Sequence, residues 1–314
     1  MDDIIEHYKQ PLKRCDDLEP VHIYNNFIKA STIHCFIRNN AYVFDMACGR
    51  GGDILKYAKH SVAFYLGIDI CPERIEEAKS RFKNLRHCMY TAVFEVGDFT
   101  SPLSLQSTYD FVSCQFAFHY AWSTRETALQ VMKNAKNMMN PDACFCLTFP
   151  DYEVIKTKLK RLERFSDFHN FVVCDADENF KFRIGGHHYY LEFTSCYPLA
   201  EFIQHLETHP YNQKYVYFQR GAVHAVEEYL VHPTEFQSLC EECEFSTYLN
   251  CNFIDFETAV EPHHNLSGLR VQMRVKDLIN VECQDIVNLY RNVVLFQNRK
   301  RRRIENISVQ EVPS

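Results

Sequence analysis

The stretch that decides the fold is VFDMACGRGGD, which occupies residues 43–53. It holds three of the nine glycines in this 314-residue chain, at positions 49, 51 and 52. An apolar run ending at Asp45, a glycine-bearing turn and a helix starting near Asp53 predict a strand–turn–helix unit. Such a turn lets the backbone approach a ligand closely, with amide N–H groups exposed at the start of the helix. An ordinary βα turn or the nucleotide-binding turn of a dehydrogenase would also be rich in glycine.

The sequence around this stretch alternates short apolar strands with helices, which is typical of a mostly parallel sheet covered by helices. The predicted strands are 42–46, 64–69, 92–96, 110–114, 144–149, 246–253 and 287–296. The predicted helices are 21–37, 53–59, 72–82, 124–139 and 233–245. We therefore expect an α/β fold built on a seven-stranded sheet.

The alternation stops after Pro150, and the aromatic-rich, polar stretch that follows predicts a structure inserted beside the sheet. We expect an N-terminal segment over 1–20, one domain over 21–297 with an insertion at about 151–225, and a basic, disordered tail over 298–314. No internal repeat is evident.

Composition limits the classes of partner. With 41 acidic and 34 basic residues the net charge is −7, so the chain has no overall positive field to hold a long nucleic acid. Any RNA contact should be local.

The 14 cysteines are irregularly spaced and the N-terminus is charged, which favours reduced core thiols and an intracellular protein. Cys240 and Cys243 have no second pair at zinc-like spacing, so we expect no metal, and no apolar run is long enough to span a membrane.

Acidic residues follow the first three predicted strands, at Asp45, Asp69 and Asp98. The glycine spacing is neither GxGxxG nor that of a phosphate-binding loop. Asp69 lies where an acidic side chain can accept hydrogen bonds from both hydroxyls of a ribose, and Asp98 where it can reach an adenine edge. Each acid alone would also fit a solvated loop, but together they indicate an S-adenosylmethionine site at the carboxyl edge of the sheet.

The fourth strand runs into SCQFAFHYAWS at residues 113–123. It brings several aromatic and polar side chains to the edge where the ligand is expected. Aromatic residues here could simply belong to the core. His119 and Tyr120, however, lie beyond the strand, where packing alone needs no pair of hydrogen-bonding groups.

The QFAFHYA run at 115–121 closely resembles the signature of the eukaryotic mRNA cap guanine-N7 methyltransferases. Further matches are YNNFIKA at 24–30, DMACGRGGD at 45–53, EEYLV at 227–231 and NLYRNVVLF at 288–296, so the resemblance spans nearly the whole chain in order. It implies a class I S-adenosylmethionine-dependent methyltransferase, with a Rossmann-like, seven-stranded, mostly parallel sheet and an inserted substrate-side elaboration.

The resemblance also implies the site residues. Those expected around S-adenosylmethionine are Lys29, Asp45, Ala47, Asp53, Asp69, Asp98, Gln115 and Tyr120. Those expected to face the cap are Asn25, Asn26, Arg50, Lys56, Arg81, Phe116, His119, Pro150, Glu228 and Tyr290.

These assignments make physical sense, although each has a plain structural alternative. Glu228 can accept hydrogen bonds from guanine N1 and N2 while His119 donates toward O6. Arg50, Lys56 and Arg81 supply local positive charge for the triphosphate bridge, although Lys56 and Arg81 also fit solvated helix positions. Tyr290 would by default belong to the core, and Glu228 adjoins Glu227, so choosing between the two depends on aligning the YLV that follows.

The expected reaction is methyl transfer to N7 of the 5′ GpppN cap by in-line displacement, with no catalytic acid or base because N7 already carries a free lone pair. Two alternatives remain open: a methyltransferase of the same fold acting on a small molecule or protein, and a non-catalytic methyltransferase-like subunit that binds RNA. Ala47, where the family usually has glycine, is the feature that favours the second.

The expected partner is 5′-capped nascent mRNA. Candidate protein partners are the capping guanylyltransferase, the tail of RNA polymerase II and an activating subunit, and we expect a monomer with no membrane contact. NRKRRR at 298–303 favours nuclear import, with RNA contact or solubility as alternatives.

Overall fold

The chain forms two β-sheets, which the computed structural model describes over residues 15–85, 89–104, 107–162, 164, 167, 169–174, 179–261, 264–278 and 280–298. In chain order the strands are β1 Tyr42–Asp45, β2 Phe64–Asp69, β3 Thr91–Val96, β4 Tyr109–Gln115, β5 Met139–Pro150, β6 Phe171–Cys174, β7 Phe180–Gly185, β8 Tyr189–Ser195, β9 Lys214–Gln219, β10 Val223–Tyr229, β11 Phe245–Asn252 and β12 Tyr290–Gln297.

The first sheet has seven strands in the order β11-β12-β5-β4-β1-β2-β3. The neighbours from β5 to β3 pair in parallel, while β12 is antiparallel to both β5 and β11. The chain order reverses between β1 and β4, and in open α/β sheets ligands bind at the carboxyl ends of strands beside such a point. The turn after β1 and the segment after β4 therefore lie together at this edge.

The α-helices are α1 Glu19–Phe36, α2 Ile54–Ala58, α3 Pro72–Lys83, α4 Arg125–Met138, α5 Tyr152–Leu162, α6 Leu199–Thr208, α7 Pro233–Glu242, α8 Phe253–Val260, α9 Ser267–Gln272 and α10 Val281–Val287. Local chemistry fixes several of their starts. Pro72 opens α3, and the Thr124 hydroxyl accepts a hydrogen bond from the Thr127 amide at the start of α4. A 3₁₀ segment, Phe118–Ser123, links β4 to α4.

Helices cover both faces of the first sheet, so its central strands are buried on both sides. Val43 and Phe44 of β1 and Val112 of β4 are fully buried. Trp122, the single tryptophan, belongs to the 3₁₀ segment that follows β4 and is also fully buried. This packing gives the ligand-facing loops a rigid base.

The second sheet is antiparallel, with strand order β10-β9-β8-β7-β6. One of its faces packs on α1, α5 and α6 through a shared core that includes Phe182, Phe193 and Tyr215. Most of it falls within the predicted insertion at 151–225, but its last strand runs to Tyr229. The strand that carries Glu228 therefore belongs to this second sheet.

Several predicted bounds are corrected. The segment 287–296 is not strand throughout, because α10 ends at Val287 and β12 starts at Tyr290. The helix predicted to reach residue 245 ends at Glu242, since Glu244 adopts a left-handed conformation with φ +56°. The strand predicted over 246–253 ends at Asn252, whose side chain accepts from the Ile254 amide and starts α8.

Helices α5, α6, α8, α9 and α10 were not predicted. Within the described residues no helix combines the length and apolar character needed to cross a bilayer. The N-terminal segment before residue 15 and the basic tail from Arg299 onward lie outside the described residues.

Candidate active site

The turn after β1 brings the glycine cluster to the end of β2. Gly49 has φ +52° and Gly51 φ +70°, so both occupy the left-handed region that favours glycine. The Gly49 amide donates to Asp69 Oδ2 at 2.9 Å, and the Cys71 amide donates to Asp69 Oδ1 at 3.0 Å. The backbone thus orients the Asp69 carboxylate at this edge, and each of its oxygens keeps a lone pair for a further donor.

Asp45, at the end of β1, is only 2% exposed. Its carboxylate accepts from the Tyr65 hydroxyl at 2.9 Å and, at 3.4 Å, from the Ala47 amide. Burial and the nearby charge of Asp53 raise the pKa of Asp45 to about 7, against the lowering effect of the Tyr65 hydrogen bond. Ala47 is not among the described residues with positive φ, so its methyl group causes no backbone strain in this turn.

Two lysines, one on α1 and one on α2, form ion pairs with the same carboxylate at the start of α2. Lys29 Nζ lies 2.9 and 3.0 Å from the two carboxylate oxygens of Asp53, and Lys56 Nζ lies 2.6 Å from Asp53 Oδ1. Lys56 also donates to Asn26 Oδ1 at 2.9 Å. Burial alone would raise the pKa of Asp53, but the two lysines hold it below its usual range. Two cations share one carboxylate, which leaves this cluster with a net positive charge.

Two arginines share a carboxylate in the same way. Arg50 lies 3.4 Å from Glu77, and Arg81 lies 2.5 Å from the same side chain on α3. We call Arg50, Glu77 and Arg81 the arginine cluster. It is more exposed than the lysine pair, with a side-chain exposure of 48% at Arg81. Arg81 is therefore a partly solvated cation in the last turn of α3, and it is linked to the glycine turn through Glu77 and Arg50.

The end of β4 carries an unsatisfied polar group and backbone strain. Gln115 Oε1 is buried without a hydrogen-bond partner, while its amide nitrogen lies 3.5 Å from the Cys146 carbonyl oxygen. Phe116 follows with φ +56°, held by a 2.7 Å hydrogen bond from its amide to Thr148 Oγ1. Strain in a non-glycine residue and an orphaned acceptor are typical of functional sites.

Glu228 reaches this edge from the second sheet. Its carboxylate, 5% exposed, accepts from the Tyr215 hydroxyl at 2.8 Å and, at 3.5 Å, from the Tyr120 hydroxyl. His119 Nε2 lies 3.4 Å from Glu228 Oε1, yet neither ring nitrogen of this buried histidine has a hydrogen-bond partner. Burial and the adjacent Glu228 raise the pKa of Tyr215, so its hydroxyl remains a donor.

The structure also separates Glu228 from its neighbour. Side chains alternate along β10, so Glu227 is exposed and pairs with Lys214 at 2.8 Å, while Glu228 points inward. Sequence alone left this choice open.

An aromatic wall borders the lysine pair. The rings of Phe116 and Tyr290 meet edge to face with centroids 5.0 Å apart, and Tyr290 is 7% exposed. Pro150 is the β5 residue directly opposite Tyr290 in the sheet. Lys29 Nζ lies 5.8 Å from the centre of the Phe116 ring, so the wall and the cationic cluster adjoin.

Two predicted residues lie apart from these contacts. Asp98 accepts hydrogen bonds within its own turn, from the Thr100 amide and hydroxyl and from the Ser101 hydroxyl. Asn25 Oδ1 is buried without a partner. Neither side chain is joined by a described hydrogen bond to another predicted site residue.

Sequence reasoning missed the residues that support the site. Tyr215 orients Glu228, Tyr65 donates to Asp45, and Thr148 holds the Phe116 backbone. Tyr215 could have been found, because KYVYF at 214–218 alternates like a strand, and in the antiparallel pair Tyr215 lies directly opposite Glu228.

Residues 18–303 match the family model of the mRNA (guanine-N(7))-methyltransferase domain. The chain belongs to this family. Among the guanine-N7 methyltransferases, the mRNA cap guanine-N(7) methyltransferase 1 of Arabidopsis thaliana is 27% identical over 271 residues, which cover 81% of this chain and 68% of that protein. The mRNA cap guanine-N(7) methyltransferase of Saccharomyces cerevisiae is 31% identical over 232 residues, covering 70% of this chain and 49% of that protein. The match thus spans about half the length of the yeast relative.

A solved structure from Listeria monocytogenes, named as an S-adenosylmethionine dependent methyltransferase, shares the fold. Its TM-score is 0.50 at 16% identity, and the match covers 87% of this chain and 99% of that one. With the guanine-N7 methyltransferase family established, the predicted fold class and the prediction of a methyltransferase enzyme are confirmed.

S-adenosylmethionine as the cofactor is likewise confirmed by family and fold. The residues at this edge suit such a group. The left-handed glycine turn exposes backbone beside Asp69, and Gln115 Oε1 offers a buried acceptor that has no partner among the described residues.

Proposed function

We propose that this enzyme methylates N7 of the guanosine cap on 5′-capped nascent mRNA in the nucleus. The single observation that carries the proposal is the buried pair of His119 and Glu228, in which neither imidazole nitrogen has a hydrogen-bond partner in the part of the chain that the structure describes. An unpaired polar group in a buried position is costly, so a ligand that pairs with it gains affinity and selectivity.

Guanine suits this pair of side chains. The Glu228 carboxylate accepts from N1–H and the N2 amino group, while an imidazole N–H of His119 donates to O6. Adenine presents no N1 donor and carries an amino group where guanine has O6, so it fails both contacts. Tyr215 holds the carboxylate in place through its 2.8 Å hydrogen bond to Oε2.

Around the guanine, the proposed walls are Phe116, Pro150 and Tyr290. The two cation clusters supply positive charge for the triphosphate bridge, through Lys56 with Asn26 and through Arg50 with Arg81. Asn25 is assigned to the same side. We propose that the second sheet is the substrate-side elaboration of the domain, since it contributes Glu228.

The residues that would hold S-adenosylmethionine are Lys29, Asp45, Ala47, Asp53, Asp69, Asp98, Gln115 and Tyr120. When bound, this cofactor supplies a methyl group on a positively charged sulfur. The N7 lone pair is free at neutral pH, so no residue needs to remove a proton. The protein's contribution is to hold N7 in line with the methyl group, and positioning of this kind can supply about 7–11 kcal/mol of barrier lowering.

The decisive experiment uses labelled S-adenosylmethionine with GpppA-capped and ApppA-capped RNA. Label on the first RNA alone is expected, and label on the second but not the first contradicts the proposal.

A matched pair of variants tests the site itself. Glu228→Ala should abolish cap methylation and spare cofactor binding measured by calorimetry, whereas Glu227→Ala, on the exposed face of the same strand, should leave both intact. If Glu228→Ala loses both functions or neither, the assignment of Glu228 is wrong.

A further inference from the structure

A cavity of about 370 Å³ lies between α1, α2 and α9 and opens beside the proposed triphosphate site. Lys56, Asn26 and Gly52 line it, and the same Lys56 Nζ bonds to the Asn26 side chain and the Gly52 carbonyl. The cavity is therefore continuous with the cation cluster that we assign to the cap phosphates. Its volume falls in the range of small-molecule sites.

The lining is mixed in a way that suits a nucleoside. Its apolar part consists of Ile23, Leu55, Leu269 and Met273. Leu55 is 58% exposed although it borders this concave surface, so a planar base placed there would cover apolar area that water now contacts.

The basic part of the lining lies on and after α2. Lys59 follows Lys56 by one helical turn, and both line the cavity with His60. Burial, together with His34 and Lys59, lowers the pKa of His60, so its ring is uncharged near neutral pH. The two lysines are spaced to follow a phosphate chain, and the neutral imidazole offers a ring face beside it.

The acidic residues of the cavity lie at its other end. Asp16 and Glu19 precede or open α1, and Glu19 is seven residues before Asn26, which is about 10 Å along the helix axis. Phosphates should therefore stay near Lys56, while a base directed along α1 meets carboxylates that can accept from its amino group.

We propose that this cavity binds the first transcribed nucleoside of the capped RNA, the one that follows the triphosphate bridge. The inference rests on the proposed function, because the cap must occupy the adjoining site for the nucleoside to reach this one.

The test compares GTP with GpppA, which share the guanosine and the triphosphate. GpppA continues into a second nucleoside, whereas GTP ends in a free γ-phosphate that carries one more negative charge. Binding of GTP and of GpppA to the full chain is measured by calorimetry with S-adenosylhomocysteine present. We expect GpppA to bind about fivefold more tightly than GTP, as burial of a small apolar area predicts. The double variant Leu55→Gln/Met273→Gln should remove this preference while leaving GTP binding unchanged.

A matched control variant keeps the test independent of folding. Val271→Gln serves as this control, since Val271 is on α9 between Leu269 and Met273 but is 79% exposed and does not line the cavity. Urea unfolding checks that each variant is folded.

The outcomes separate the two proposals. If the wild type binds GTP and GpppA equally, or if the cavity variants weaken both ligands by the same factor, the nucleoside site is overturned and the cap site stands. If neither ligand binds, the proposed function itself fails.

Discussion

Asp45 provides a sharp test of the electrostatics at the carboxyl edge. The side chain is 2% exposed at the end of β1, and its neighbours include the ionised Asp53. Replacing it with asparagine keeps the shape and an acceptor for the Tyr65 hydroxyl, which lies 2.9 Å from Asp45 Oδ2. The substitution removes the titrating proton and the negative charge, and it places an amide NH₂ group where Asp45 Oδ1 accepts the 3.4 Å contact from the Ala47 amide.

The magnitude follows from the pKa. Burial raises the pKa of Asp45 to about 7 in the folded enzyme, against an ordinary value of about 4 in the unfolded chain. Between these values the folded state binds the proton and the unfolded state does not, so stability falls as pH rises. The slope is about 1.4 kcal/mol per pH unit, and above pH 7 the wild type should have lost about 4 kcal/mol.

Urea unfolding of the wild type and of Asp45→Asn from pH 4.5 to pH 8 measures the pH-dependent contribution of Asp45 to the unfolding free energy. The difference in unfolding free energy between the two proteins isolates Asp45 from other titrating groups. The unfolding free energy of the variant should rise steadily relative to that of the wild type up to pH 7. Above pH 7 the difference should stay constant. Asp142→Asn, at an exposed position, is the control substitution. A difference that is independent of pH, or that grows as pH falls, refutes the reasoning.

Three further outcomes are expected. Tyr215→Phe should weaken GpppA binding roughly tenfold without changing S-adenosylmethionine binding, because it removes a hydrogen bond to the buried Glu228 carboxylate. Calorimetry with both ligands checks this, and an equal loss of affinity for the two ligands counts against it. Gly51→Ala should lower the unfolding free energy by about 2 kcal/mol in urea titrations, since φ is +70° and the new Cβ would lie 3.2 Å from that of Ala78. Glu77→Gln should strengthen GpppA binding about threefold at low salt, because it leaves the arginine cluster without its carboxylate. This gain in affinity should vanish at 1 M salt. A gain in affinity that persists at 1 M salt would exclude an electrostatic cause.

The first sheet was predictable because its pattern is local. Residues 43–53 combine a buried strand, a glycine turn and a helix start, and the strands at 64–69 and 110–114 read as apolar runs between helices. The observed β2 is Phe64–Asp69, as predicted. Parallel strands are covered on both faces, so their hydrophobicity alone marks them.

The second sheet was not predictable strand by strand. Its strands keep one open face, and that face carries half-buried aromatic residues such as Tyr190 and Phe218, which stack at 5.1 Å and weaken the apolar–polar alternation. Its register is set by pairings distant from the cofactor motif. For the same reason the orientation of Glu228 required the structure, since a shift of one residue in β10 would have placed Glu227 inward instead.

The charge distribution explains how an acidic chain can receive a polyanion. The chain carries a net charge of −7, yet at the carboxyl edge Lys29 and Lys56 share Asp53, and two arginines share Glu77. Each cluster keeps one surplus positive charge that its carboxylate holds in place before the ligand arrives. Because this charge is local, the attraction should act on the triphosphate and the nucleotides beside it, and screening should confine it to about a Debye length of 8–10 Å. Recognition then depends on the cap itself, through Glu228, more than on the length of the RNA.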